Sequence, residues 1–208
     1  MPEPGETTTE FWDNLYGTQD RIWSGKVNVR LAEVAGDLTP GRALDLGCGE
    51  GGDAMWLAEH GWQVVATDVS GVALARAQED ATRRGVAGAI EFVKTDLTDG
   101  VPPGPFDLVS AHFLHAPDEL ALNRVAVLRS AAAAVAPRGL LLVVDHGSAP
   151  SWSAHHDHHF PSAAEVLEVL QLGLQWQRIR VEAVEREVTG PDGQVATIAD
   201  NVMLLRRT

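Results

Sequence analysis

Apolar positions along the chain follow two rhythms, and the rhythms alternate. From Thr7 to Tyr16, a capping threonine with Glu10 three places on precedes Phe11, Trp12, Leu15 and Tyr16 at helical spacing, and Gly17 ends the run. A second helix is predicted over about Val27–Gly36. It leads through Leu38–Gly41 into a short apolar run, Arg42–Leu46, that carries one acid, Asp45. That run breaks into Gly47-Cys48-Gly49-Glu50-Gly51-Gly52 and restarts as a helix. A buried strand over Gly61–Asp68 follows, then a helix over Gly71–Arg84 capped by Ser70, then a strand over Ala89–Lys94. The proline-rich stretch Val101–Pro105 reads as a surface connection. Phe106–Ala111 is a fourth strand with His112–His115 at its carboxyl end, and Pro117–Val135 an alanine-rich helix stopped by Ala136–Gly139. Leu140–Asp145 is a fifth strand, apolar enough to be covered on both faces.

After that the alternation stops. Gly147–Pro161 is a loop, Ser162–Leu172 a helix with Glu165 as capping-box partner, and Gln175–Glu185 and Thr197–Arg206 two strands joined through a turn at Thr189–Gly193. Repeated β-α units followed by a hairpin describe an α/β fold: a doubly wound, Rossmann-like, mostly parallel sheet with an antiparallel C-terminal hairpin. We read residues 1–208 as one domain. Residues 1–38 form a helical cap, 39–146 a ligand-binding core, and 147–208 a loop, helix and hairpin on the substrate side. Ligands on such sheets sit beyond the carboxyl ends of the strands. Asp45, Gly47, Asp68, Asp96 and Ala111–His115 all fall at such ends, which points to a single site.

Charge narrows the ligand. Sixteen Lys and Arg against 29 Asp and Glu give a formal net charge of −13, a poor match for a polyanion, so a small molecule is expected and a nucleic acid is not. No apolar run is long enough for a membrane span. The polar, acidic start of the chain lacks the pattern of a secretory signal, and Cys48 is the single cysteine; a reducing, cytoplasmic setting fits.

Gly47, Gly49 and Gly52 satisfy GxGxxG, with Asp68 at the end of the next strand, a pattern that serves a dinucleotide equally well. Three features tilt it. Asp45 sits inside the strand, where a pyrophosphate would meet negative charge and a cationic amine or sulfonium would not. No Lys or Arg follows the glycines, and no phosphate loop occurs. The acids ending the second and third strands suit a ribose diol and an adenine amine.

The chain here resembles the class I S-adenosylmethionine-dependent methyltransferases: LDLGCGEGG (Leu44–Gly52) is similar to their first motif, VVATDVS (Val64–Ser70) to the second, EFVKTDL (Glu91–Leu97) to the next, and FDLVSAHFLH (Phe106–His115) to the fourth. The resemblance implies a seven-stranded sheet of order 3-2-1-4-5-7-6 and S-adenosylmethionine as cofactor. It implies that Gly47, Cys48 and Gly49 line the methionine moiety with Asp45 near its amino group, and that Asp68 takes the ribose hydroxyls with Val69 on the adenine. Asp96 would then take the adenine amine with Leu97 on the ring, and Ala111 and His112 would pass beneath the sulfonium. The front end, FWDNLYG and RIWSGKVN, is similar to the small-molecule branch that includes tellurite-resistance and thiopurine-type methyltransferases, in which Trp23 and its loop resemble a lid over the cofactor. The fourth motif is not the [DN]PP[YF] of amino-directed nucleic-acid enzymes.

Methyl transfer is an in-line displacement that needs a base only for a protonated nucleophile. His112, His115 and His146 are the candidate bases, with hydrogen-bonded structural histidines as the plainer reading. The His155–His159 run reads as a substrate lid rather than a metal site, since the thiolates or fixed carboxylates of familiar centres are missing. For Arg21 and Arg30, contact with a cofactor carboxylate and surface ion pairing stand as equal readings. An NAD-dependent oxidoreductase and a non-catalytic cofactor sensor are the competing function classes.

Overall fold

The computed structural model describes residues 2, 5–120, 122–153 and 158–208. Its elements in order are α1 (Thr8–Gly17), α2 (Val29–Ala35), β1 (Arg42–Leu46), α3 (Gly52–Glu59), β2 (Gln63–Asp68), α4 (Gly71–Arg83), β3 (Ile90–Lys94), β4 (Phe106–His112), α5 (Arg124–Ala134), β5 (Val135–His146), α6 (Ala163–Leu170), β6 (Trp176–Thr189) and β7 (Val195–Arg207). The strands form a seven-stranded sheet in the order β3-β2-β1-β4-β5-β7-β6. β1 to β5 are parallel where they pair, and β7 runs antiparallel to both β5 and β6. This is the expected architecture and order.

Side chains alternate across the strands and divide the core into two layers. On one face Leu44, Leu46, Val109, Ala111, Leu141 and Val143 pack with Val127, Leu128 and Ala131 of α5 and Val166, Leu167 and Leu170 of α6. On the other, Ala43, Val64, Leu108, Leu142 and Val144 pack with Leu31 of α2 and Met55 and Leu57 of α3. The same alternation carries Asp45, Ser110 and His112 to the α3 face and Asp145 to the α5 face.

Local chemistry fixes the helix starts. Thr7 and Ser162 each close a capping box, with Glu10 and Glu165 returning the hydrogen bond to the cap backbone. Two boundaries differ from the sequence reading. α5 begins at Arg124 rather than Pro117, because Asn123 caps it by accepting the Ala126 N–H at 3.0 Å, and a short 3-10 turn at Asp118–Leu120 precedes it. β5 starts at Val135, where a helix stop was expected; its pairing with β4 is irregular between Phe106 and Leu108, and Arg138 there has φ +68°. The hairpin is also longer, with Thr189 opposite Val195. Its outer end is ordered by polar contacts that hydrophobic patterning does not register, Arg186 to Asp200 at 2.9 Å among them.

No helix among the described residues is long and apolar enough to cross a membrane. Leu142 is fully buried mid-strand, whereas Leu174 is fully exposed. Leu142→Ala is expected to lower unfolding stability by about 2–5 kcal/mol and Leu174→Ala by less than about 0.5 kcal/mol; equal urea midpoints for the two variants would contradict this core assignment.

Candidate functional site

The turn after β1 is tied to the end of β2. Cys48 donates its N–H to the Thr67 carbonyl at 2.8 Å, and Gly49 donates to Asp68 Oδ2 at 2.8 Å, while Asp68 Oδ1 accepts the Ser70 N–H at 2.9 Å. Gly47 and Gly49 have φ of +69° and +52°, which an L side chain rarely adopts. A Cβ on Gly47 would lie 2.8 Å from Leu114 Cδ1, and one on Gly49 2.8 Å from the Tyr16 hydroxyl. Side chains of α1 and of the turn after β4 therefore close directly on these glycines.

Beneath the turn lies a polar file on the α3 face. Asp45 is buried, and its Oδ1 accepts from Ser110 Oγ at 3.4 Å, but Oδ2 has no partner among the described residues. Burial, and then the nearby Asp53 carboxylate, push the Asp45 pKa up to about 7, against the pull of His112 and Ser110. His112 meets Asp53 Oδ2 through Nδ1 at 2.7 Å, and its Nε2 is buried without a partner among the described residues. Burial lowers the His112 pKa, but Asp53, joined by Asp45 and Asp145, makes the net direction upward.

Two acids inside the glycine motif hold the cap, and the sequence reading passed over both. Glu50, buried, accepts the N–H groups of Ile22 and Trp23 at 3.1 and 3.0 Å and pairs with Arg76 at 3.0 Å. Asp53 accepts the Asn28 N–H at 2.6 Å through its other oxygen. Their signal was present in the sequence: acids at the start of a helix offer themselves to whatever N–H groups arrive there. Trp23 is 55% exposed and donates through Nε1 to the Tyr16 hydroxyl at 3.0 Å, over Gly49.

On the α5 face, Asp145 is buried and bound by Arg124 Nη2 at 2.5 and 2.6 Å, with His115 Nε2 3.4 Å away. His146, ending β5, stacks on Phe113 at 4.4 Å between centroids. The carboxyl edge thus carries two acid–imidazole pairs, Asp53–His112 and Asp145–His115, on opposite faces of the sheet.

The remaining residues read from the sequence are placed as follows. Leu97 is buried in the core and Ala111 is fully buried. Val69 follows β2, in the turn that Asp68 and Ser70 close. Asp96 is partly exposed, its Oδ1 accepting from the N–H and hydroxyl of Thr98 at 2.9 and 2.7 Å. Arg30 is not brought to the glycine turn. Its guanidinium is buried against Asp200 of β7 at 3.3 Å, Glu33 at 2.6 Å and the Glu185 carbonyl of β6 at 3.3 Å. Arg21 pairs with Asp80 of α4. For both arginines the ion-pair reading describes the geometry. His155, His156 and Asp157 lie outside the described residues, and no group of three or more metal-ligating side chains occurs among the described ones.

A family described as "Methyltransferase domain" matches residues 43–139, which hold the glycine turn and β1 to β4. Over those residues the chain is similar to methyltransferase domains. The chain is 31% identical over 140 residues to the tRNA 5-carboxymethoxyuridine methyltransferase of Escherichia coli K12, covering 64% of this chain and 51% of that one. It is also 31% identical over 111 residues to the aklanonic acid methyltransferase DauC of Streptomyces sp. strain C5, covering 50% of each. The chain spans about half the length of these curated relatives. In fold it is similar to TehB from Haemophilus influenzae, with TM-score 0.69 and 18% identity over 96% of this chain and 67% of that one. It is likewise similar to a structure described under conversion of a disulfide bond into a thioacetal group during echinomycin biosynthesis, with TM-score 0.70 and 23% identity over 96% and 93%.

The family's cofactor is S-adenosylmethionine, and the residues gathered here suit it. The orphaned Asp45 oxygen matches an ammonium or sulfonium.

A raised carboxyl pKa has a definite sign in stability. An unfolded chain ionises this carboxyl near ~3.9, so the stability contributed by the folded protein's extra proton is lost as pH rises through about 7. Replacing Asp45 by Asn removes that loss. The melting-temperature advantage of Asp45→Asn over the unliganded parent is expected to grow by a few degrees between about pH 5 and about pH 8. A difference independent of pH would contradict the buried, raised carboxyl.

Proposed function

We propose that the chain is an S-adenosylmethionine-dependent methyltransferase acting on a small-molecule acceptor in a reducing, cytoplasmic setting. On this reading it works as one domain over residues 1–208, with 1–38 as the cap. The observation that carries the proposal is the buried Asp45 carboxylate with one oxygen unmet among the described residues, under a turn held open by positive-φ glycines and bordered by Asp68. A nicotinamide dinucleotide would bring its pyrophosphate to this acid, which argues against the oxidoreductase alternative.

When bound, the cofactor supplies a methyl group on a sulfonium whose leaving group needs no protein acid. The protein's part is to bind, orient and exclude water; positioning of this kind contributes on the order of 7–11 kcal/mol to such steps. Asp45 receives the cofactor's ammonium, and the backbone of Gly47, Cys48 and Gly49 follows the methionine moiety. Asp68 uses its remaining lone pairs for the ribose hydroxyls. Val69 and Leu97 flank the adenine and Asp96 takes its amine. Ala111 and His112 line the floor, and Trp23, strapped down by Glu50, covers the opening. His112 is buried at 6% exposure while His115 is 46% exposed, so His115 and His146 are the groups facing the methyl acceptor.

The net charge of −13 supports a small acceptor, since a folded RNA is recognised first through its phosphates. The E. coli relative is named for a tRNA base, which makes RNA the competing acceptor class.

S-adenosylmethionine and S-adenosylhomocysteine are expected to raise the melting temperature, and NAD and NADP to leave it unchanged. Asp68→Ala should weaken S-adenosylhomocysteine binding by more than about tenfold in calorimetry. Label from methyl-tritiated cofactor should pass to small-molecule extracts and not to total tRNA or rRNA. Stabilisation by NAD alone would overturn the cofactor assignment, and label in RNA would overturn the acceptor class.

A further inference from the structure

Residues 22–28, which carry Trp23 over the glycine turn, hold on to the protein through carboxylates. The N–H groups of Ile22 and Trp23 donate to Glu50, and that of Asn28 donates to Asp53 at 2.6 Å. None of the segment's N–H groups reaches a backbone carbonyl among the described residues. The two acids differ in one respect. Glu50 has its charge met by Arg76 at 3.0 Å, whereas Asp53 has no lysine or arginine partner among the described residues, only Nδ1 of His112 at 2.7 Å. Asp53 also has a second carboxylate for a neighbour. Ser110 lies opposite Asp45 in the β1–β4 pairing, and His112, two residues on, shares its face. The contact of Asp53 with His112 therefore brings two acids together beneath the turn.

We propose that Asp53 is a positioning residue through which the cofactor's amino group closes the cleft: when Asp45 receives an ammonium, Asp53 is relieved of its neighbour's charge and keeps hold of Asn28, so residues 22–28 stay down over the ligand. The proposal rests on the methyltransferase reading and assigns the control of closure at that same site.

In the unliganded cleft a proton takes the place of the ammonium. Burial and then the Asp53 charge push the Asp45 carboxyl up to about 7, so below that pH Asp45 is neutral and Asp53 binds Asn28 unopposed. Above it the pair carries two like charges in a buried setting, where repulsion is strongest. Asp53 is the member that can yield, since its side chain lies nearer the surface, at 16% exposure, and Asp45 is sealed inside β1. Yielding gives up the Asn28 N–H.

The other groups around the pair do not supply the missing cation. His112 and Ser110 of β4 favour the ionised Asp45, but Asp68 of β2 acts with Asp53 against it. Cys48 of the turn and Tyr16 of α1 are held neutral by burial and by neighbouring acids. Beyond His112 stands Asp145 of β5, a further acid. Arg76 of α4 is taken up by Glu50.

The test is hydrogen exchange of residues 22–28 in the full chain, expressed as protection relative to the free-peptide rate at each pH. In the unliganded parent, protection is expected to fall about tenfold between about pH 6 and about pH 8. At the higher pH, saturating S-adenosylhomocysteine should restore it. Its des-amino analogue, with hydrogen in place of the amino group, should bind and not restore it. Asp45→Asn, which cannot ionise, should keep the segment protected at both pH values without ligand. Asp53→Asn should show weaker protection that neither pH nor the amino group changes. Equal protection by the two ligands would overturn closure through the amino group. A pH dependence that survives in Asp45→Asn would overturn the acid pair as its source. Failure of the parent chain to bind S-adenosylhomocysteine in calorimetry would instead sink the methyltransferase reading itself.

Discussion

A carboxylate at the end of one strand shapes the turn at the end of the next. Asp68 can accept the Gly49 N–H because β1 and β2 are parallel neighbours with Leu46 beside Thr67, which brings the ends of both strands level. The Cys48 bond to Thr67 uses the same adjacency. With the turn so closed, the chain leaves β1 through left-handed glycines, starts α3 immediately, and leaves Asp45 sealed beneath. A buried polar atom without a partner costs about 1–3 kcal/mol, and of the three among the described residues, Trp62 Nε1 lies elsewhere while Asp45 Oδ2 and His112 Nε2 fall together at this site. Their position beneath the glycine turn is where a ligand with donors of its own would recover that loss.

The sheet then separates two tasks. On the α3 face Asp53 joins His112 to the Asn28 N–H, so one acid at the start of a helix fixes both the end of β4 and the chain entering α2. Glu50, three residues earlier in the turn before α3, does the same for Ile22 and Trp23. On the α5 face Arg124 fixes Asp145 and the Leu114 carbonyl together, which places His115. Burial acts on both imidazoles in the same direction. The closer, hydrogen-bonded Asp53 reverses that effect for His112, whereas Asp145, shared with Arg124, does not for His115. Two histidines three residues apart are thereby shifted in opposite directions.

The fold was legible because its signals are local or periodic. Apolar alternation gave the strands, capping boxes at Thr7 and Ser162 gave two helix starts, and glycines after β1 gave the turn. Motif resemblance supplied the strand order. The errors fell where side-chain chemistry competes with periodicity: Asn123 starts α5 later than alanine content suggests, and polar pairs such as Arg186 with Asp200 help carry the hairpin on to Thr189. At the candidate site, Asp45, Gly47, Gly49, Asp68 and His112 come together as their positions at strand ends require. Arg30 does not, since nothing in the sequence says that it meets Asp200 of β7 and the Glu185 carbonyl of β6. Glu50 and Asp53 went unread because their partners, the N–H groups of Ile22, Trp23 and Asn28, are backbone atoms that no residue pattern displays.

The central claim is that the buried acid under the glycine turn is an ammonium receptor within a cofactor cleft. A crystal structure of the chain grown with S-adenosylhomocysteine tests it most directly. The expected result is the ligand's amino nitrogen on Asp45, directly or through one water, with its ribose hydroxyls on Asp68 and Trp23 closed above. A ligand bound elsewhere, or in this cleft with Asp45 still unmet, would contradict it.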